Sequence, residues 1–254
     1  MSEEYTAALI ETPAGALLCS DRVGQRVFRV GYRPSPWHWT PWVYADHGRF
    51  DGRWDDPDGI WRTLYVGSSL LACYLELLAR FRPDPVLVDE FAVIDDADEV
   101  TDDGAAVTVP AGLLPRSWCT NRLVSAADMS GRFAMVGSHE SLPTLRQQFW
   151  RHARRVGLPD FDAAAIRLGE PRELTQAISS WIYGLVAPDG EPLSGIEFHS
   201  RHGDGLLLWA IYERDHASTV AAELGGFAVD EDVLPGDAEL AEAMRIHRLR
   251  WLEA

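Results

Sequence analysis

The sequence predicts an α+β fold, in which strands and helices mix without the regular strand–helix alternation of a doubly wound sheet. Short apolar or alternating runs (QRVFRVGY, TLYVGS, GIEFHS, GLLLWAIYE) read as strands, and longer segments with apolar residues three and four apart read as helices. No repeat, low-complexity tract or Pro/Ser-rich linker divides the 254 residues, so one domain with a C-terminal helical appendage is the economical organisation.

Residues 1–24 read as a partly helical lead-in. Residues 25–32 form a strand that delivers Arg29 from one face, and PSPWHWTPW (34–42), with three prolines, is an aromatic loop. Trp37, Trp39, Trp42, Trp54 and Trp61 crowd this region, either as a small aromatic core or as a wall against a planar ligand. TLYVGS (63–68) is a buried strand. The helix over 68–81 opens at Ser68 or Ser69 and closes before Pro83, with Leu70, Cys73, Leu77 and Phe81 as its core stripe and Glu76 beside it. VLVDEFAVI (86–94) reads as a strand, and the acidic run after it as a solvated loop. Helices follow over 142–159, ending at Gly157, and 173–186, with Gly184 near its end. GIEFHS and GLLLWAIYE make two late strands around RHGDG. Residues 236–252 form a terminal helix carrying Leu240, Met244, His247 and Trp251. The boundaries that result are a lead-in (1–24), a main domain (25–215) and a C-terminal helical extension (216–254) packed on it.

Composition narrows the function classes. The formal charge of −16, from 23 Lys+Arg against 39 Asp+Glu, opposes a broad nucleic-acid footprint but leaves room for a local basic pocket. The basic residues are almost all arginine, which holds phosphate or carboxylate by bidentate hydrogen bonds. Three scattered cysteines, Cys19, Cys73 and Cys119, specify neither a disulfide framework nor a zinc site, and a reducing cytoplasm is the expected location. No secretory leader or membrane-spanning run is expected.

The residues that suggest chemistry sit in five short motifs: Arg29 in VFRVG, Arg53 in RFDGRWDDP, Tyr65 in LYVGSS, Glu76 in CYLELLARFRP and Ser200 in GIEFHSRHG. Two arginines, an aromatic hydroxyl, a carboxylate and a serine suit an anionic nucleotide whose sugar carbon is attacked. His199, His202 and Asp204 lack a further ligand cluster, so no metal is expected. The GxSxG elbow and the Gly-rich phosphate loops are missing.

In that order, these segments resemble the signature segments of the RES domain family, over roughly residues 25–215. The resemblance implies a fold similar to ADP-ribosyltransferases, a mixed or antiparallel sheet core with flanking helices. It implies NAD as substrate, cleaved at the nicotinamide–ribose bond by hydrolysis or, with inorganic phosphate, by phosphorolysis. It also implies a role as a toxin held by an Xre-type helix-turn-helix antitoxin. Glu76, Arg29, Tyr65 and Ser200 would carry catalysis, while Arg29, Arg53, Tyr65, Trp54 and Ser200 would line the NAD site. Arg29 and Arg53 would clamp the pyrophosphate, Tyr65 would stack on nicotinamide or fix its ribose, and Trp54 would be pocket wall or core. Arg201 and His202, beside Ser200, would at most add secondary contacts. ADP-ribosylation of a protein or small molecule, and a silent nucleotide-binding module, are the competing expectations. The terminal helix and acidic surface are compatible with a homodimer.

Overall fold

A computed structural model describes residues 5–83, 110–168 and 170–253. The expected strand over 86–94 and the acidic loop after it lie outside the described residues. The core is one mixed sheet of eight strands with helices around it, which is an α+β architecture.

The chain begins with a hairpin rather than a helical lead-in: β1 (Tyr5–Thr12) pairs antiparallel with β2 (Gly15–Tyr32) from Tyr5↔Arg22 to Thr12↔Gly15. β2 is one long strand of 18 residues, with a register shift between Arg22 and Gln25 where it bends. It pairs along its length with β5 (Arg122–Met135), and β5 runs parallel to β6 (Gly195–His199). β6 pairs with β7 (Leu207–Tyr212), β7 with β3 (Thr63–Gly67), and β3 touches β2 again at Gly67↔Phe28. The pairings therefore close a circuit, β2-β3-β7-β6-β5, so the central strands are covered on both sides. Every residue of β7 after Leu207 is buried.

A parallel β5–β6 pair needs a crossover. It is made by three helices, α3 (Leu142–Arg155), α4 (Ala163–Arg167) and α5 (Arg172–Tyr183), whose Leu145, Phe149, Ile166, Leu174, Ile178 and Ile182 enter the main core with Trp54 and Trp61. At the other end α1 (Leu70–Leu78) packs against α6 (Ala238–His247), the short α2 (Ser117–Thr120) and the parallel pair β4 (Leu113–Leu114) and β10 (Arg250–Trp251). The terminal helix is thus shorter than expected, since Arg248 turns left-handed at φ 57° and the chain ends as a strand. Two-residue strands β8 (Leu224–Gly225) and β9 (Glu231–Asp232) edge β5.

The helix expected over 68–81 is capped by Ser69, whose hydroxyl accepts from the Ala72 N–H at 3.2 Å, and finishes as a 3-10 turn over Ala79–Phe81. Of its expected core stripe, Cys73 is buried and Leu70 and Phe81 pack against the core with the buried Ala72, Tyr74, Leu75 and Leu78, whereas Leu77 is 37% exposed and shares the opposite face with Glu76. The aromatic loop is mainly core: Trp37, Trp39, Trp54 and Trp61 are buried, and Trp42 alone of the five reaches the surface. That loop is tied down by Arg62, which bonds the buried Glu213 carboxylate and the Thr40 carbonyl while its guanidinium lies near the Trp39 and Trp42 rings.

Candidate functional site

The outward face of α1 looks into a cleft of about 550 Å³ bounded by the ends of β2 and β5, the loop before β3, α5 and the end of β6. Among the described residues its walls carry six arginines, Arg29, Arg53, Arg80, Arg122, Arg172 and Arg201, against a single carboxylate, Glu76. In a chain of net charge −16 this is a local inversion of sign, the arrangement that focuses anionic ligands.

Arg29, Arg53, Tyr65 and Glu76, which lie far apart in sequence order, all meet in this cleft. Ser200 stands directly behind Glu76. It is 1% exposed, donates its hydroxyl to Glu76 Oε1 at 2.6 Å, and accepts the His202 N–H at 2.9 Å. One carboxylate oxygen of Glu76 is thereby fixed. Trp54, the remaining member of the expected binding set, is 0% exposed and packs its ring against Phe198 with centroids 5.5 Å apart, so of its two expected places it occupies the core.

Arg29 is held at the cleft floor. Nε donates to the Pro36 carbonyl and Nη1 to the Tyr65 carbonyl, both at 2.5 Å, which ties the start of the aromatic loop to β3. Burial lowers its pKa to about 10, well above neutrality, so its charge persists in the cleft. Gly31 allows the loop to come this close, because a Cβ there would lie 2.6 Å from the Pro36 Cα.

Tyr65 offers its ring to the cleft, while its hydroxyl serves the loop that carries Arg53. The hydroxyl accepts from the Trp54 N–H at 2.8 Å and donates to Asp55 Oδ1 at 2.9 Å. Asp55 Oδ2 accepts the Gly52 N–H at 2.5 Å, and Asp56 Oδ2 accepts from Ile60 N–H at 2.6 Å. The two aspartates of RWDDP are therefore loop-shaping acceptors. Burial raises the pKa of Asp55, and burial together with Asp55 raises that of Tyr65 well above the usual phenol range, so the phenol stays protonated. Arg53 itself donates to the Arg167 carbonyl at 2.7 Å and lies 5.7 Å from the centre of the Phe198 ring. Burial lowers its pKa, and Glu76 acts to raise it.

Several cleft residues carried weaker signals in the sequence. Arg80 lies in the same motif as Glu76, and Arg172 opens α5 and reaches back to the Asp51 carbonyl. Arg122 has no local signal, since it arrives from β5 as the cross-strand partner of Tyr32. Cys73 also borders the cleft, with its thiol donating to the Phe28 carbonyl at 3.2 Å. Burial pushes that thiol up to about 12, so it is not a thiolate nucleophile at neutral pH. Among the described residues no group of three or more His, Cys, Asp or Glu could hold a metal ion, and His199 is exposed on the strand end. No helix among the described residues is long and apolar enough to cross a membrane.

Behind Ser200, the His202 ring meets His247 of α6 edge-on at 5.1 Å, and His247 Nε2 lies 2.8 Å from the Leu75 carbonyl, one residue before Glu76. Burial is the main cause that lowers the His202 pKa to about 4; Arg201, His247 and Arg82 add to it and Glu76 opposes it. The ring is therefore neutral in the folded chain while an unfolded histidine protonates near 6.5. The sign follows: this contribution to stability is whole above pH ~6.5 and is lost as pH falls toward 4, because the unfolded state binds the proton first. The His202 ring signals should titrate with a midpoint near 4 by NMR. A midpoint at the ordinary histidine value would show that the ring is solvated and not packed as described.

A mixed sheet closed on itself, with an arginine-lined cleft around a serine-bound glutamate, defines an α+β protein with a positively charged cleft at a fixed carboxylate. The RES domain family model matches residues 26–230, and the chain belongs to the RES domain family. Neither the curated proteins nor the solved structures contain a match to it.

Proposed function

We propose that this protein cleaves NAD at the nicotinamide–ribose bond. The observation that carries the reading is the Ser200–Glu76 hydrogen bond within a cleft whose other charged groups, among the described residues, are all arginines. Family membership supports it, because Arg29, Arg53, Tyr65, Glu76 and Ser200 all lie within the matched residues 26–230, in the segments that resemble the family's signature.

Loss of nicotinamide leaves positive, oxocarbenium-like charge on the ribose, as in glycoside cleavage. The carbon–nitrogen bond breaks with its electron pair going to nicotinamide, which leaves neutral. With Oε1 held by Ser200, Oε2 of Glu76 is free to accept a ribose hydroxyl and place negative charge beside that carbon. Arg53, Arg172 and Arg201 sit where a diphosphate can be held by guanidinium forks, and Arg29 adds its charge from the floor. Tyr65 and Phe198 supply flat apolar surface. Water or phosphate then completes the exchange as hydrolysis or phosphorolysis, and growth arrest restrained by an Xre-type antitoxin is the use that the family resemblance suggests for such an activity.

Incubation of the purified chain with NAD, with and without inorganic phosphate, followed by mass spectrometry, tests the reading. Free nicotinamide should appear together with ADP-ribose or its 1″-phosphate. Intact NAD after prolonged incubation would sink it, and a stable ADP-ribosyl adduct on an added protein would replace cleavage by transfer.

A further inference from the structure

We propose that Arg80, Arg122 and Tyr32 form a second anion subsite in the cleft, separate from the Arg53–Arg172–Arg201 rim, and that it takes a phosphate group in its monoester or free form. Arg80 follows Glu76 by four residues, so it lies about one helical turn further along the same wall. Arg122 begins β5 opposite Tyr32, the last residue of β2, and closes that end of the cleft.

The environment of Arg122 asks for an anion. Its residue is 6% exposed, and its guanidinium lies 4.3 Å from the ring centres of both Tyr32 and Trp118. Nη1 donates to the Trp118 carbonyl at 2.9 Å and Nη2 to the Tyr32 hydroxyl at 2.8 Å. Those acceptors are neutral, and cation–π contact offsets only part of the cost of burying a charge. Arg80 stands near enough to oppose the charge of Arg122, and among the described residues no carboxylate pairs with either. Elsewhere in this acidic chain Arg26, Arg33, Arg132, Arg146, Arg167 and Arg245 each pair with a carboxylate. Glu76 does not supply the missing charge, since its bond goes to Ser200 rather than to Arg80.

Two guanidinium groups and a tyrosine hydroxyl match the oxygens of a terminal phosphate, which carries close to two negative charges near neutral pH. One source is a phosphomonoester on the dinucleotide itself, as in NADP. The other is inorganic phosphate serving as acceptor. In that case a phosphate oxygen forms the bond to the ribose carbon as the carbon–nitrogen bond breaks, and the dianion needs no proton removed. The choice of source rests on the NAD reading above, while the anion subsite does not.

Calorimetric titration of the full chain with inorganic phosphate, without dinucleotide, tests the subsite. Saturable binding is expected, weakened at least tenfold in Arg80→Glu, an exposed position where the fold should persist, and measurably in Arg122→Lys. Turnover then separates the sources. A preference for NADP over NAD that Arg80→Glu removes assigns the subsite to the dinucleotide. Phosphate-stimulated NAD loss with a phosphorylated product, diminished in the same variant, assigns it to free phosphate. Phosphate binding without NAD cleavage would leave the subsite standing and refute the NAD reading. Phosphate affinity equal in parent and Arg80→Glu, or no saturable phosphate binding together with no NADP preference, overturns the subsite.

Discussion

Glu76→Gln should lower NAD turnover by roughly two to three orders of magnitude, with a milder loss of NAD affinity, the scale expected when one electrostatic partner of the transition state is removed. The substitution isolates charge from shape. Glutamine retains a side-chain oxygen that can accept from Ser200, so the contact that fixes α1 against the end of β6 survives. What disappears is the one negative charge among the described lining residues of a cleft with six arginines. Positive charge developing on the ribose would then meet only cations and neutral dipoles, so the loss should fall on kcat more than on KM. Steady-state kinetics with circular dichroism as the check on folding measures it. A Glu76→Gln variant that consumes NAD at the parental rate would remove Glu76 from the chemistry, whatever else the cleft binds.

The residues that converge at the cleft were legible because each lies in a short motif whose order along the chain is informative: Arg29, Arg53, Tyr65, Glu76 and Ser200 announce themselves without any knowledge of contacts. Their division of labour was not. Tyr65 has the residue type for nicotinamide stacking, but that its hydroxyl is engaged by Trp54 N–H and Asp55 follows only from the path of the loop. Arg122 enters from an element distant in sequence and carries no local pattern at all, and Arg172 is marked only by opening a helix.

The fold shows the same division. The strands over 63–67, 195–199 and 207–212 and the helices at 70–78, 142–155 and 172–183 have periodicity and caps strong enough to read. β5 does not: RLVSAADMSGRFAM is poor in β-branched residues, contains Gly131, and is buried over its first six residues with no alternation. It is a strand because β2 and β6 pair with it, a tertiary cause invisible to local propensity. The first 24 residues fail for the converse reason, since Ala, Leu and Glu favour a helix until the Pro13–Ala14 turn folds β1 onto β2. On α1, apolar spacing alone could not tell that Leu77 faces the cleft and Leu75 the core.

The interior of the closed sheet makes the largest stability prediction. Glu197, on β6, is 4% exposed, and its Oε2 accepts from Ser20 Oγ at 2.7 Å, Arg22 Nε at 2.9 Å and Trp209 Nε1 at 2.9 Å, with Arg22 Nη2 at 2.8 Å. One carboxylate thus gathers donors from β2 and β7 inside the barrel. Glu197→Ala would take this acceptor from the buried Arg22 guanidinium and from Ser20 Oγ and Trp209 Nε1, so a loss of about 3–5 kcal/mol is expected, a large share of the stability of an ordinary domain. Denaturant unfolding measures it. Replacing both charged residues at once, Arg22→Met with Glu197→Leu, should recover most of the loss, because an apolar pair removes the cost of burying either charge. Recovery would identify the damage as the loss of the Glu197 charge opposite Arg22, whereas a double variant as weak as Glu197→Ala would locate it in packing. The consequence reaches the cleft, since β6 continues through Phe198 and His199 to Ser200: a β6 loosened by Glu197→Ala should lower activity through a less fixed Glu76 even where the protein remains folded.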